Sequence, residues 1–154
     1  KNDLDQLLKV KVKRLDSYFQ DNNLKEVDYL KIDVEGFEPE AIEGLGIYSN
    51  KISIMQVEFD NQKLSDNLQK IIDRIENNFD LIYISSWELG EQGYGSEHKW
   101  QSLYKYSKDI VLVNGSWGNV IAIKTKDFKL NSSLEFDEII KNSFQNRLTT
   151  TSIN

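Results

Sequence analysis

Val27-Asp-Tyr-Leu-Lys-Ile-Asp-Val-Glu-Gly-Phe-Glu-Pro-Glu-Ala-Ile-Glu-Gly-Leu45 decides the reading of this chain. The segment opens as a short apolar strand, Tyr29 to Val34, and reaches two carboxylates and a glycine, Asp33, Glu35 and Gly36. It then turns directly into a helix. Pro39 suits a helical first turn, where its missing N–H costs nothing, and Gly44 and Gly46 stand where a helix would close. In an open α/β sheet, ligands bind beyond the carboxyl ends of the strands, so acids placed there are positioned for chemistry.

Working outward, Ile52 to Phe59 is apolar on both parities, as a strand covered on both faces should be. Leu64, Leu68, Ile71, Ile72, Ile75 and Phe79 follow helical spacing and predict an amphipathic helix. Asp80 to Ser85 reads as the next strand. Strand, helix, strand, helix, strand with short connections predicts two right-handed βαβ units and a parallel sheet. Upstream, Lys9 to Leu15 alternates at period two and predicts a strand, with a short helix over 16–22. Downstream the rhythm breaks. Residues 87–109 read as a long loop carrying Trp87, Tyr94, His98, Trp100, Tyr104 and Tyr106. Strand pieces at 109–113 and 119–124 flank an Asn114-Gly115 turn signal, and a short helix is expected within 134–148. No repeat or linker interrupts the chain, so residues 1–154 read as one domain.

Composition narrows the partners. The chain has 154 residues, a formal net charge of -6 and no cysteine. Disulfide scaffolds, thiolate metal sites and cysteine nucleophiles are thereby excluded. The acidic balance argues against nucleic acid and anionic membranes, and no run approaches the ~18 apolar residues of a membrane span. The one basic cluster, Lys9, Lys11, Lys13 and Arg14, alternates with valines and reads as the solvated face of an edge strand. The sequons at Asn114 and Asn131 read as chance matches, and a cytoplasmic location is expected.

Tyr29, Lys31, Asp33 and Glu35 should share one strand face. On the residues alone, two readings of these acids stand side by side. Asp33 caps the following helix while Glu35 and Glu38 favour its positive end, or Asp33 and Glu35 do chemistry. Glu58 and Asp60, at the end of the next strand, form a second pair. Adjacent strands lie roughly 4.8 Å apart, so acids at neighbouring strand ends can converge on one ligand, a hydroxyl or a hard cation. Gly36 serves a sharp strand-to-helix turn. His98 reads as solvated more readily than as a base, and the loop aromatics line a pocket or plug the loop.

The same residues resemble a known family. Tyr29-Leu-Lys-Ile-Asp-Val-Glu-Gly-Phe-Glu38 matches the core signature of FkbM-type methyltransferases nearly residue for residue. Val12-Lys-Arg-Leu-Asp-Ser-Tyr-Phe19 and Ile54-Met-Gln-Val-Glu-Phe59 resemble its flanking segments. The resemblance implies an α/β fold: a partial Rossmann-like methyltransferase sheet, mostly parallel, with an antiparallel C-terminal strand. It implies S-adenosylmethionine as methyl donor, and most plausibly O-methylation of a small-molecule or glycan hydroxyl. Catalytic roles fall to Asp33, Glu35 and Glu58, and cofactor contacts to Asp33 and Gly36. The family's glycine-rich cofactor turn has no counterpart here. The stretch Gly90 to Gly95 follows no strand leading into a helix, so the chain is expected to be the C-terminal, acceptor-side portion of the domain. Such a half sheet would leave an open edge at the Tyr29 strand, available for self-association. Two alternatives remain: a magnesium-dependent α/β enzyme using Lys31, Asp33, Glu58 and Asp60, and a non-catalytic interaction module.

Overall fold

The computed structural model describes residues 9–61, 66–88, 99–109, 116–128 and Glu138, and only the backbone of residues 87–88 and 99–102. Helix α1 (Leu15–Asp21) leads to strand β1 (Val27–Ile32), helix α2 (Glu38–Glu43) and a 3-10 turn at Gly46–Lys51. Strand β2 (Ile52–Asp60), helix α3 (Asn67–Ile75) and strand β3 (Leu81–Glu88) follow. Strands β4 (Lys99–Lys105) and β5 (Trp117–Ile123) and a second 3-10 turn, Thr125–Asp127, complete the described elements.

The strands form one mixed sheet in the order β1-β2-β5-β3-β4. β1 and β2 are parallel neighbours, and β5 runs antiparallel between β2 and β3. β1, β2 and β3 therefore share a direction, as expected. The mostly parallel sheet needs correction, because β1–β2 is the only parallel pairing among these neighbours and β4 is antiparallel to β3. The expected antiparallel C-terminal strand is β5. It pairs with β2 and β3; of the strand piece expected at 109–113 only Asp109, in a turn, lies within the described residues.

The helices pack on one face of the sheet. Met55, Val57 and Phe59 of β2 are fully buried there with Ile42 of α2 and Leu68, Ile71, Ile72 and Ile75 of α3. These four belong to the six-residue apolar stripe read from periodicity; Phe79 is buried beyond the end of α3, and Leu64 lies outside the described residues. The start of α3 is fixed from outside the helix: Asn61 Oδ1 accepts the Leu68 N–H at 3.1 Å, and the buried Asn67 Oδ1 accepts the Asp60 N–H at 3.1 Å. On the opposite face a smaller cluster gathers Leu81, Tyr83 and Ile123 with Ile54, Leu103 and Ile121. At that end of the sheet the buried Lys124 donates to the Ser49 carbonyl at 2.8 Å and sits over the Phe79 ring.

Two further expectations are corrected. Residues 9–14 form no strand. Val10 and Val12 alternate but stand 77% and 92% exposed, and without a neighbouring ladder a period-two pattern has nothing to pair with. The long loop over 87–109 is also partly sheet: β3 continues to Glu88, and β4 pairs back along it with a register shift at Ser86/Trp87. Residues 89–98, including Tyr94 and His98, and the 134–148 helix apart from helical Glu138 lie outside the described residues.

The close approach of β5 to β3 demands one glycine. A Cβ on Gly118 would sit 1.9 Å from the Ser85 carbonyl oxygen. Gly118→Ala should therefore destabilise the protein by more than a surface substitution does, on the order of 1–3 kcal/mol or above. Ile72→Ala should cost on the order of 2–5 kcal/mol. Urea denaturation of both variants checks the sheet topology and the α3 packing; an unchanged midpoint for either would contradict this architecture.

Candidate active site

Strand β1 ends at Ile32, and the next four residues turn sharply toward α2. Glu35 adopts φ 54° and Gly36 φ 105°, both in the left-handed region. Only glycine enters that region freely, so the non-glycine Glu35 is held there by its surroundings. The holding group is Glu38, the first residue of α2, which is 2% exposed. Its carboxylate accepts the Val34 N–H at 3.0 Å and the Gly36 N–H at 3.0 and 3.1 Å. Glu38, read from sequence as favouring the helix end, is thus the clamp of the turn. The N-cap residue of α2 is Phe37, and no side chain caps it, so the capping role weighed for Asp33 is not the one it plays.

Asp33 instead accepts a hydrogen bond from Lys31 Nζ at 2.7 Å. The β1–β2 register runs through Lys31–Gln56 to Ile32–Val57, which brings Asp33 beside Glu58 one step further on. A carboxyl oxygen from each of Asp33, Glu35 and Glu58 lies within 4.8 Å of the others. The three acids named from sequence therefore converge, and they are close enough together to share one cation. Asp60 is not in that group. The left-handed turn delivers Glu35 instead, so the magnesium alternative changes its ligand set.

The acids differ in character. The Lys31 ammonium, with the hydrogen bond to Glu58 second, holds Asp33 below the usual carboxylate range. Burial, reinforced by the adjacent Asp33 and by Glu35 and Glu38, pushes Glu58 up to about 7. Two interacting carboxyls thus divide into one anion and one group that exchanges its proton near neutrality, the arrangement used for acid–base work.

The sheet face around Glu58 has a graded composition. In register, Asn119 of β5 lies beside Glu58 and Ser85 of β3 beside Asn119. One row toward the other end of the strands come Lys31, Gln56, Ile121 and Tyr83, and beyond them Tyr29, Ile54, Ile123 and Leu81. Polar residues thus concentrate in the Glu58 row, with Asp60, Trp117 and Trp87 in register one row further toward the carboxyl ends of β2 and β3 and apolar residues toward the opposite end. Asn119 and Gln56 were missed from sequence, since only pairing between distant strands brings them to the site. Tyr104 of β4 pairs with Ile84, on the helix-side face, and Tyr106 packs on the main core, so neither stands with the acids, while the side chains of Trp87, Tyr94 and Trp100 lie outside the described residues. Along the outer edge of β1 runs an apolar groove of about 680 Å³ lined by Leu15, Leu30, Ile32, Val34, Phe37 and Ala41 among others.

Because Glu58 binds its proton more tightly folded than unfolded, its contribution to stability falls as pH rises from the ordinary carboxyl range through about 7. Carbon-13 NMR of the carboxyls should show Glu58 titrating near 7 and Asp33 below its usual range. Asp33→Asn should lower the Glu58 midpoint without returning it fully, since burial remains. Glu58→Gln should remove this share of the stability loss between the two pH limits; an unaltered slope would contradict the assignment.

Comparison with known proteins agrees with the motif. The family model for the methyltransferase FkbM domain matches residues 3–84, more than half of the chain, which includes Asp33, Glu35, Gly36 and Glu58. No curated protein and no solved structure matches. With its signature segment forming the strand, the turn and two of the three clustered acids, the chain belongs to the FkbM methyltransferase domain family.

Proposed function

We propose that the chain is the acceptor side of an S-adenosylmethionine-dependent O-methyltransferase acting on a small-molecule or glycan hydroxyl. The observation that carries this reading is the Asp33–Glu58 pair at the ends of β1 and β2, with Lys31 keeping one member ionised. S-adenosylmethionine, when bound, supplies a methyl group on a positively charged sulfur. Glu58, deprotonated above about pH 7, accepts the acceptor's hydroxyl proton, while anionic Asp33 orients that hydroxyl. Alignment of the oxygen with the methyl group matters more here than strong acid–base chemistry, so few polar groups suffice. Glu35, held in its unusual backbone conformation, adds negative charge that favours a cationic neighbour.

The residues present fit the acceptor better than the donor's nucleoside. The Gly36 and Val34 amides are taken by Glu38, so this turn offers those N–H groups to no ligand. In this reading the donor is held mainly by elements outside residues 1–154, with Asp33 and Gly36 at the boundary. The strand order β1-β2-β5-β3, with β5 reversed, supports a Rossmann-like methyltransferase sheet whose further strands would join at the outer edge of β1. Self-association is the competing use of that edge. The reading places the protein in the cytoplasm; no helix among the described residues is long and apolar enough to cross a membrane. A second reading, magnesium-dependent chemistry, draws on the three carboxylates within 4.8 Å, and a magnesium titration followed by NMR separates it from the first.

Transfer of labelled methyl from S-adenosylmethionine to hydroxylated acceptors, assayed with the protein extended upstream of Lys1, tests the reading. Asp33→Asn should abolish most transfer while leaving the denaturation midpoint nearly unchanged. A variant that loses stability but keeps turnover would make Asp33 structural. Calorimetry on residues 1–154 alone should show no saturable S-adenosylmethionine binding in the micromolar range. Half a cleft forfeits most contacts yet still incurs the association entropy, about 4–15 kcal/mol. Tight stoichiometric binding by residues 1–154 would overturn the division of labour.

A further inference from the structure

The sheet face that carries the acids is apolar toward the other end of the strands, and it is not bare there. Leu81, Tyr83 and Ile123 are only 5%, 4% and 1% exposed. Neighbours within a sheet flank a side chain but leave its tip facing outward, so burial this deep requires a layer on top. Among the described hydrophobic residues packed on this cluster, Phe128 alone comes from outside the strands. One phenyl ring does not cover three large side chains. Helices α2 and α3 pack on the opposite face.

Chain geometry narrows the source of that layer. Residues 89–98 leave from Glu88 and return to Lys99, and Glu88 stands about 23 Å along β3 from Leu81 at ~3.3 Å per residue. A segment that must leave and return reaches half its contour, about 17 Å for 89–98, and falls short. The connection after Lys105 joins β4 to β5, which run alike with β3 between them. Relative to β2–α3–β3, both the strand direction and the direction of travel are reversed. The right-handed rule therefore assigns this crossover to the same face as α3, where Tyr106 already packs.

Past β5 the chain reaches the cluster itself at Phe128 and continues through residues 129–154. There Phe136, Ile140, Phe144 and Leu148 recur at every fourth residue, the spacing of an amphipathic helix. Glu138, which falls opposite that stripe at 100° per residue, is helical and exposed. A lone helix of this length is marginal in water and gains its stability by burying its apolar stripe.

We propose that residues 134–148 form a helix that docks through Phe136, Ile140 and Phe144 on Leu81, Tyr83 and Ile123, as the second layer of this side of the sheet. The occupant is the chain's own C-terminal segment, not a second copy. Asp33 and Glu35, at the other end of the face, are exposed, so the cover stops short of the acids.

Methyl NMR of the full 154-residue chain, labelled at isoleucine, tests this. Ile140 should show nuclear Overhauser contacts with Ile121 or Ile123 and none with Ile71 or Ile72 of the opposite face. Ile140→Ala should shift the Ile121 and Ile123 signals and lower the folding equilibrium constant about tenfold or more. Glu138→Ala should do neither. Contacts from Ile140 to Ile71 or Ile72, or no contact from Ile140 to any strand residue, would overturn the proposal. So would Ile123 signals that move with protein concentration, which would make a second copy the cover. Signals that move on deletion of residues 1–8 but not in Ile140→Ala would overturn it in favour of the amino-terminal segment. Because the contacts are read in the unaltered chain, poor folding of a variant leaves the test intact.

Discussion

The architecture depends on the insertion of β5 between β2 and β3. β2 and β3 run in the same direction and do not touch along their edges, so the hydrogen-bond ladder is continuous only because an antiparallel strand from much later in the chain fills the gap. That strand fits because its second residue has no side chain: at Gly118 the β3 backbone stands where a Cβ would be. Everything on the exposed face follows from this fit. It sets the height at which Asn119 meets Glu58, and it buries Val120 and Ala122 against the helix-side core.

A second constraint acts at the end of β1. The carboxylate of Glu38 stands in for missing backbone partners and ties α2 to the turn it follows. With the turn fixed, Asp33 and Glu35 have little freedom to withdraw from one another, and Glu58 sits against them in partly dehydrated surroundings. Repulsion among these groups is relieved in two ways: Lys31 neutralises Asp33, and Glu58 keeps its proton to about pH 7. The site is therefore electrostatically uncomfortable by construction, which is the usual condition of groups poised to exchange protons.

Much of this was legible in the sequence, for identifiable reasons. β1, β2 and α3 carry their apolar residues in runs or at helical spacing, and burial alone dictates those patterns. The meeting of Asp33 and Glu58 was legible because both stand at the ends of neighbouring parallel strands. The failures are equally physical. The alternation of residues 9–14 met the rule for a strand, but a strand needs a partner, and pairing is not a local property. β4 was hidden because Gln101, Ser102 and Lys105 interrupt its β-formers and its partner is the extension of β3. Asp60 was preferred to Glu35 as an alternative ligand because strand parity treats Glu58 and Asp60 alike; the left-handed turn that brings Glu35 in follows no spacing rule. Asn119 lies 61 residues from Glu58 and only sheet register joins them.

The clamp by Glu38 also governs which charges the site can tolerate. A turn with inward-facing amides next to a helix start is ordinarily a place where phosphates and carboxylates settle. Here the protein has installed its own anion in that position, and three further carboxyl groups stand nearby against a single ammonium. A phosphorylated or carboxylated molecule approaching this end of the sheet finds the amides already occupied and meets net negative charge. With those two amides satisfied from within the chain, the turn has neither N–H to give an approaching anion in return for that repulsion.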